Sequence, residues 1–130
     1  MLIIGHGIDL VDLDRIASMI ERHGDRFLER VFTDGERAYA DGGGRRRVER
    51  YAARFAAKEA VFKAIGTGWR SGITWRDVDV RREPSGAPSV HLSGRCREVA
   101  EERGVERWRI SLSHTDRTAI ASVIAIGRMR

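Results

Sequence analysis

Glu59 and Lys63 stand four residues apart, one helical turn, in Arg54-Phe55-Ala56-Ala57-Lys58-Glu59-Ala60-Val61-Phe62-Lys63-Ala64-Ile65 ahead of Gly66 and Gly68. An acid and a base therefore share one face. At about 100° per residue, Ala57, Ala60, Val61, Ala64 and Ile65 form the apolar side, and Glu59 points away from its centre, outward or into a polar cleft. Gly66 and Gly68 suit a C-terminal cap, and the alanines at 56, 57, 60 and 64 permit another backbone to come close. Taken alone, a Glu-Lys pair at this spacing is also an ordinary surface pair worth about 0.2–0.5 kcal/mol. A second acidic element changes that balance. Residues 2–12, Leu-Ile-Ile-Gly-His-Gly-Ile-Asp-Leu-Val-Asp, read as a strand whose glycine-flanked end delivers Asp9 into or just before a helix start. A carboxylate between Ile8 and Leu10 stays ionised under partial burial only if it is paired, hydrogen-bonded or bound to a cation. Asp12 reads as the cap of the next helix, worth about 1 kcal/mol. No Cys or His cluster has zinc-ligand spacing, so a bound metal would take oxygen ligands, as magnesium does.

The elements that must position these groups emerge from periodicity. Residues 13–30 wound as one helix carry two stripes, Ile16, Ile20 and Phe27 on one and Arg15, Arg22 and Arg26 on another, with Glu21, Asp25 and Glu29 partly offsetting the like charges. Residues 41–47, Asp-Gly-Gly-Gly-Arg-Arg-Arg, are expected to form a mobile basic loop. Residues 77–82 and 88–93 alternate as two strands around a reversal at 83–87. A short helix over 95–103 ends at Gly104. Trp108, Ile110 and Leu112 alternate on a strand leading to His114, and a β-branched strand over 118–126 completes a second hairpin turned at 115–117. Hairpin-paired strands with helices inserted early indicate an α+β chain, an antiparallel sheet packed against helices, and leave strand order open.

The chain of 130 residues is sized for one domain spanning 1–130. A hydrophobic fraction of 42% and a charged fraction of 33%, with no apolar run near the roughly 20 residues that cross a bilayer, describe a soluble protein with no membrane role. The absence of a basic stretch before Leu2 argues against a secretory signal, and the single Cys96, read as a small packed side chain, excludes an intrachain disulfide framework. A cytoplasmic location is expected. A net charge of +5 calls for acidic partners: a phosphate-bearing ligand, nucleic acid or an acidic protein.

Gly7-Ile8-Asp9 with Arg15-Ile16, then Arg54-Phe55-Ala56-Ala57-Lys58-Glu59-Ala60 with Lys63-Ala64 and Gly66, resemble the holo-acyl-carrier-protein synthases, the short class of 4′-phosphopantetheinyl transferases. Phe32-Thr33 with Glu36, the Gly86-x-Pro88 turn and Ile110-Ser-Leu-Ser-His114-Thr115 extend the resemblance over essentially the whole chain. It implies transfer of the 4′-phosphopantetheine arm of coenzyme A to a serine of apo-acyl carrier protein, leaving adenosine 3′,5′-bisphosphate, for fatty acid biosynthesis. It implies Mg2+ on Asp9 and Glu59, with Lys63 beside the same phosphates. The serine proton would go to a metal-bound water oriented by Glu59 or Asp9, or to His114. Contacts to coenzyme A would come from Arg45 or Arg46 at the 3′-phosphate, and from Arg54, Phe55, Lys63, Gly66, Gly86, Pro88 and His114. Arg15, Arg22 and Arg26 would dock the acidic helix of the carrier protein. A homotrimer with active sites between subunits is implied, with Gly86 and Pro88 approaching a neighbour's cofactor. Asp12 stands where a longer Glu is common in the family, and the basic loop is richer in glycine than in many relatives. His6, His23 and His91 match no family motif.

Two rival readings remain at the sequence level. A small basic RNA-binding module fits the charge, but such modules set aromatics on an exposed sheet face, whereas Trp69, Trp75 and Trp108 are scattered. A catalytically dead trimer kept for protein interaction conflicts with the presence of both motif carboxylates and the motif lysine.

Overall fold

The computed structural model describes residues 1–66 and 72–128. It is an α+β architecture. Strand β1 (Leu2–Asp12) pairs antiparallel with β5 (Thr118–Gly127), which pairs antiparallel with β4 (Val105–His114), giving the order β1-β5-β4. Helix α4 (Arg47–Ile65) lies on one face of this sheet. Alternation in β5 buries Ala119, Ala121, Val123 and Ala125 towards the helix and leaves Ile120, Ser122, Ile124 and Ile126 on the opposite face.

Helix and sheet meet backbone to backbone. A Cβ on Gly7 would stand 1.9 Å from the carbonyl oxygen of Ala60, and one on Gly5 1.9 Å from that of Ala64. Only glycine fits at either place, and the alanines are the matching small residues on the helix. The close approach anticipated from the alanines is thus made by β1, the strand that carries Asp9.

Helices α1 (Leu13–His23), α2 (Asp25–Val31) and α3 (Asp34–Asp41) connect β1 to α4. The single helix expected over 13–30 is two: Gly24, at φ 53°, takes a conformation that L residues rarely adopt and breaks the helix between Arg22 and Arg26. Asp25 and Glu29 turn to Arg37, at 3.1 and 4.0 Å, rather than offsetting the arginine stripe. Asp12 occupies the N-cap position of α1 with extended backbone, but its side chain makes no capping hydrogen bond. The Leu13 N–H donates instead to the Arg117 carbonyl at 2.8 Å. The expected mobile loop at 41–47 is an ordered turn. Asp41 closes α3 and accepts from Arg47 Nε at 2.9 Å and Tyr51 Oη at 2.7 Å, while Gly44–Arg46 wind one 3₁₀ turn into α4. Helix α4 accordingly begins at Arg47, well before residue 54, and ends with Gly66 in the left-handed region at φ 70°. Gly68 and Trp69 lie outside the described residues.

Strands β2 (Val78–Arg82) and β3 (Pro88–Leu92) form the expected hairpin, α5 (Gly94–Glu102) comes next, and β4 and β5 form the second hairpin. Cys96 is fully buried, its thiol pushed up to about 12 by burial and then by Asp77. A buried ion pair joins three elements. Lys58 Nζ lies 2.7 Å from Glu36 Oε1, both side chains fully enclosed. Glu36 also accepts from the Thr33 N–H at 2.8 Å and the Val80 N–H at 2.7 Å, and Lys58 donates to the carbonyls of Trp75 and Val78. Burial pushes Glu36 up against the lowering pull of Lys58, and pushes Lys58 down against the raising pull of Glu36. Both shifts record the same desolvation cost, offset by a complete hydrogen-bond set.

Candidate active site

The seating of Gly7 on Ala60 sets the bearing of Asp9. Two residues farther along β1 the side chain again faces α4, and that residue is Asp9; Glu59 and Lys63 project from the same stretch of helix. Lys63 Nζ donates to Asp9 Oδ1 at 3.0 Å and to the Ile8 carbonyl at 3.0 Å. The Asp9 side chain is 15% exposed and that of Lys63 54%, so the carboxylate is sheltered and the ammonium sits at the mouth. Burial, then the charge of Asp9, raises the pKa of half-buried Glu59, with Lys63 and Arg15 pulling it down. Mutual repulsion between Asp9 and Glu59 places two carboxylates in one electrostatic neighbourhood. Ile8, Asp9, Leu10, Lys63 and Ile120 line a surface hollow of about 450 Å³.

The donor set suits a hard cation. Among the described residues no three or more His, Cys, Asp or Glu side chains share a site. Two carboxylates and the Ile8 carbonyl are oxygen donors, and magnesium is commonly held by one or two carboxylates with its other positions left to water and phosphate. The Lys63 ammonium lies against two of those oxygens, a cation where a cation is wanted.

The remaining candidates separate by location. Exposed Arg15 places its guanidinium carbon 5.5 Å from the centroid of the Phe55 ring. Phe55 is 6% exposed and packs 5.0 Å from Trp75, so it is core with one face beneath Arg15. Arg22 closes α1 and Arg26 opens α2, both exposed. Arg26 joins Met19, His23, Phe27 and Arg30 around a surface groove of about 310 Å³ with a partly apolar floor. Trp75 packs against Phe55 and Phe62, and Trp108 is half-buried against the core, so neither forms an exposed stacking platform.

His114 is not beside Asp9 and Glu59. Its Nε2 lies 3.1 Å from Glu49 Oε1 and its Nδ1 3.3 Å from the Thr115 carbonyl. Glu49 precedes Glu59 by ten residues, about 15 Å along the helix. Exposed Arg45 and Arg46 share that upstream end of α4. Arg54 is buried at 4% exposure, its guanidinium carbon 4.4 Å from the centroid of the Tyr39 ring, with Arg50 at 4.2 Å from the same ring. Gly66 caps α4, where Arg103 donates to the Ile65 carbonyl. Gly86, at φ 92°, and Pro88 shape the β2–β3 turn. Sequence pattern assigns no role to Glu49 or Lys58. A buried lysine on an amphipathic helix is visible only as a charge on the apolar side.

The 4′-phosphopantetheinyl transferase superfamily profile matches residues 5–123. The chain is 51% identical over 123 residues to the holo-[acyl-carrier-protein] synthase of Koribacter versatilis (strain Ellin345), covering 95% of this chain and 98% of that one. Among solved structures it resembles the holo-[acyl-carrier-protein] synthase of Neisseria meningitidis with a TM-score of 0.87 at 34% identity, covering 96% of this chain and 99% of that one. It also resembles the holo-(acyl-carrier-protein) synthase from Bacillus anthracis str. Ames in complex with CoA (3′,5′-ADP), with a TM-score of 0.77 at 36% identity, covering 96% and 97%. A sheltered carboxylate pair with a lysine at its mouth, on a fold shared over nearly every residue, agrees with that likeness, and the chain belongs to the 4′-phosphopantetheinyl transferase superfamily.

Proposed function

We propose that this chain is a holo-[acyl-carrier-protein] synthase that moves the 4′-phosphopantetheine arm of coenzyme A to a serine hydroxyl of apo-acyl carrier protein, releasing adenosine 3′,5′-bisphosphate. The pairing of Asp9 with Lys63 at one hollow, with the charges of both felt at Glu59, carries this reading. It works as one domain, in the cytoplasm, and serves fatty acid biosynthesis. The relatives' printed activities, and the coenzyme A named with the Bacillus anthracis neighbour, support the substrates.

The work is to neutralise a diphosphate, align the serine oxygen with the phosphorus opposite the leaving oxygen, and remove a proton. Asp9 and Glu59 would hold Mg2+, which when bound supplies positive charge to the diphosphate as its leaving oxygen develops negative charge. Lys63, half-exposed beside them, reaches the same phosphates as a point charge. The serine proton goes to a water oriented by Glu59 or Asp9, both of which stand beside the attacking oxygen. Arg15 pins the carrier protein close to these carboxylates, and Arg22, Arg26 and the groove between α1 and α2 receive its acidic helix.

The assembly is a homotrimer with intersubunit sites. Only a ribose separates the 3′-phosphate of coenzyme A from its diphosphate, yet in one copy His114, at Glu49, lies about 15 Å up the helix from Glu59, and Arg45 and Arg46 about 20 Å. A neighbouring copy supplies the second half. Ile8 and Leu10, 52% and 64% exposed beside Asp9, are the apolar surface that such a neighbour covers. Gly86 and Pro88 approach the cofactor from the same direction.

Mass spectrometry of apo-acyl carrier protein incubated with coenzyme A, magnesium and this protein tests the proposal. A gain of about 340 Da on the serine is expected. Asp9→Asn and Glu59→Gln should each abolish the gain with circular dichroism unchanged; wild-type rates in both variants would remove the carboxylate pair from the mechanism.

A further inference from the structure

Lys63 uses two of its three N–H donors on Asp9 Oδ1 and the Ile8 carbonyl, both at 3.0 Å. Those oxygens are the kind a divalent cation would coordinate, and an ammonium on the same carboxylate neutralises its charge and repels a metal ion approaching it. A divalent ion that takes Asp9 Oδ1 and the Ile8 carbonyl competes with Lys63 for both. The lysine side chain is 54% exposed, so leaving requires no opening of the core. Once displaced, the ammonium stands close to a divalent ion of like charge unless an anion lies between them. The diphosphate of coenzyme A is such an anion.

Resting on the carboxylate-pair reading of the site, we propose that Lys63 is a tethered occupant of the cation position, which makes metal binding weak until a diphosphate arrives to take the ammonium. Metal and coenzyme A then bind with positive coupling, and Lys63 is the element that couples them. Free metal is held off Asp9 until both substrate phosphates and cation can be engaged together. Reciprocity requires coenzyme A to bind more tightly in the presence of the metal by the same factor.

Mn2+ binding to the full chain, monitored by the electron paramagnetic resonance of the free ion with and without coenzyme A, provides a readout separate from turnover. Wild-type protein should bind Mn2+ weakly alone and more tightly with coenzyme A. Lys63→Met should bind Mn2+ alone on the order of tenfold more tightly than wild type and lose most of the enhancement by coenzyme A, within the range usual for coupled sites. Lys63→Arg, which keeps the charge, should retain the weak binding. Lys63→Met binding Mn2+ alone no more tightly than wild type, while Asp9→Asn weakens binding in both backgrounds, would overturn this inference and leave the carboxylate-pair reading standing. Mn2+ binding that ignores Asp9→Asn in both backgrounds would overturn both.

Discussion

Glu59 concentrates the chemistry, and its titration is where that shows. Its folded pKa is raised by burial first and Asp9 second. The stability linked to its protonation is therefore full below the ordinary glutamate value of 4.5 and lost as pH rises through the raised value. In metal-free protein, carboxyl carbon NMR should place Glu59 above an exposed glutamate. Asp9→Asn should lower it by removing the second cause while burial keeps part of the shift; Lys63→Met should raise it further by removing an opposing charge. A Glu59 titration indifferent to Asp9 would mean that the two carboxylates do not share a field. Sequence made this pair legible because each acid breaks a local pattern, one inside an apolar strand and one opposite an alanine face. It left Glu49 unread, since its partner His114 lies across the fold and no periodicity connects them.

Between elements, the match of β1 to α4 is metrical. Gly5 and Gly7 are two strand residues apart, about 6.8 Å, and Ala60 and Ala64 four helix residues apart, about 6 Å. Each glycine therefore finds one alanine carbonyl. Gly7→Ala sets a methyl 1.9 Å from backbone, where no flexible side chain can yield. It should cost at least about 1–3 kcal/mol in urea unfolding and reduce transfer activity beyond what the surviving folded fraction explains; equal losses would show that β1 does not position Asp9. On the far side of α4 the Glu36–Lys58 pair locks the helix to α3 and the β2–β3 hairpin. Lys58→Met strands a buried carboxylate and should cost about 3–5 kcal/mol, and adding Glu36→Met should recover much of it in a double-mutant cycle. Strands, both hairpins and the α4 cap were readable from alternation and glycine placement. The break at Gly24 was not, because the apolar stripe passes through it in register, nor was the ordered turn at 41–46, whose anchor is Asp41 rather than any feature of its glycines.

For the whole molecule, the separation of His114 from Glu59 along α4 makes the proposed trimer testable as part of catalysis. Leu10→Asp should shift sedimentation from trimer towards monomer and remove activity together. Glu59→Gln and His114→Ala, each inactive, should regain about a quarter of wild-type activity when refolded as an equal mixture, because some sites then draw each residue from an intact copy. No recovery would place the complete site within one chain. The junction of β1 and α1 has its own consequence. Asp12 ends the strand and Leu13 begins the helix with no connecting loop, so the carboxylate at 9 and the arginine at 15 ride on one unbroken span of backbone. Strand geometry counts by twos and helix geometry by hundreds of degrees. Inserting a single residue between Asp9 and Leu13 would turn the arginine's bearing relative to the carboxylate, and family members that diversify in partner choice are expected to vary the identity of side chains beyond this junction while keeping its length constant.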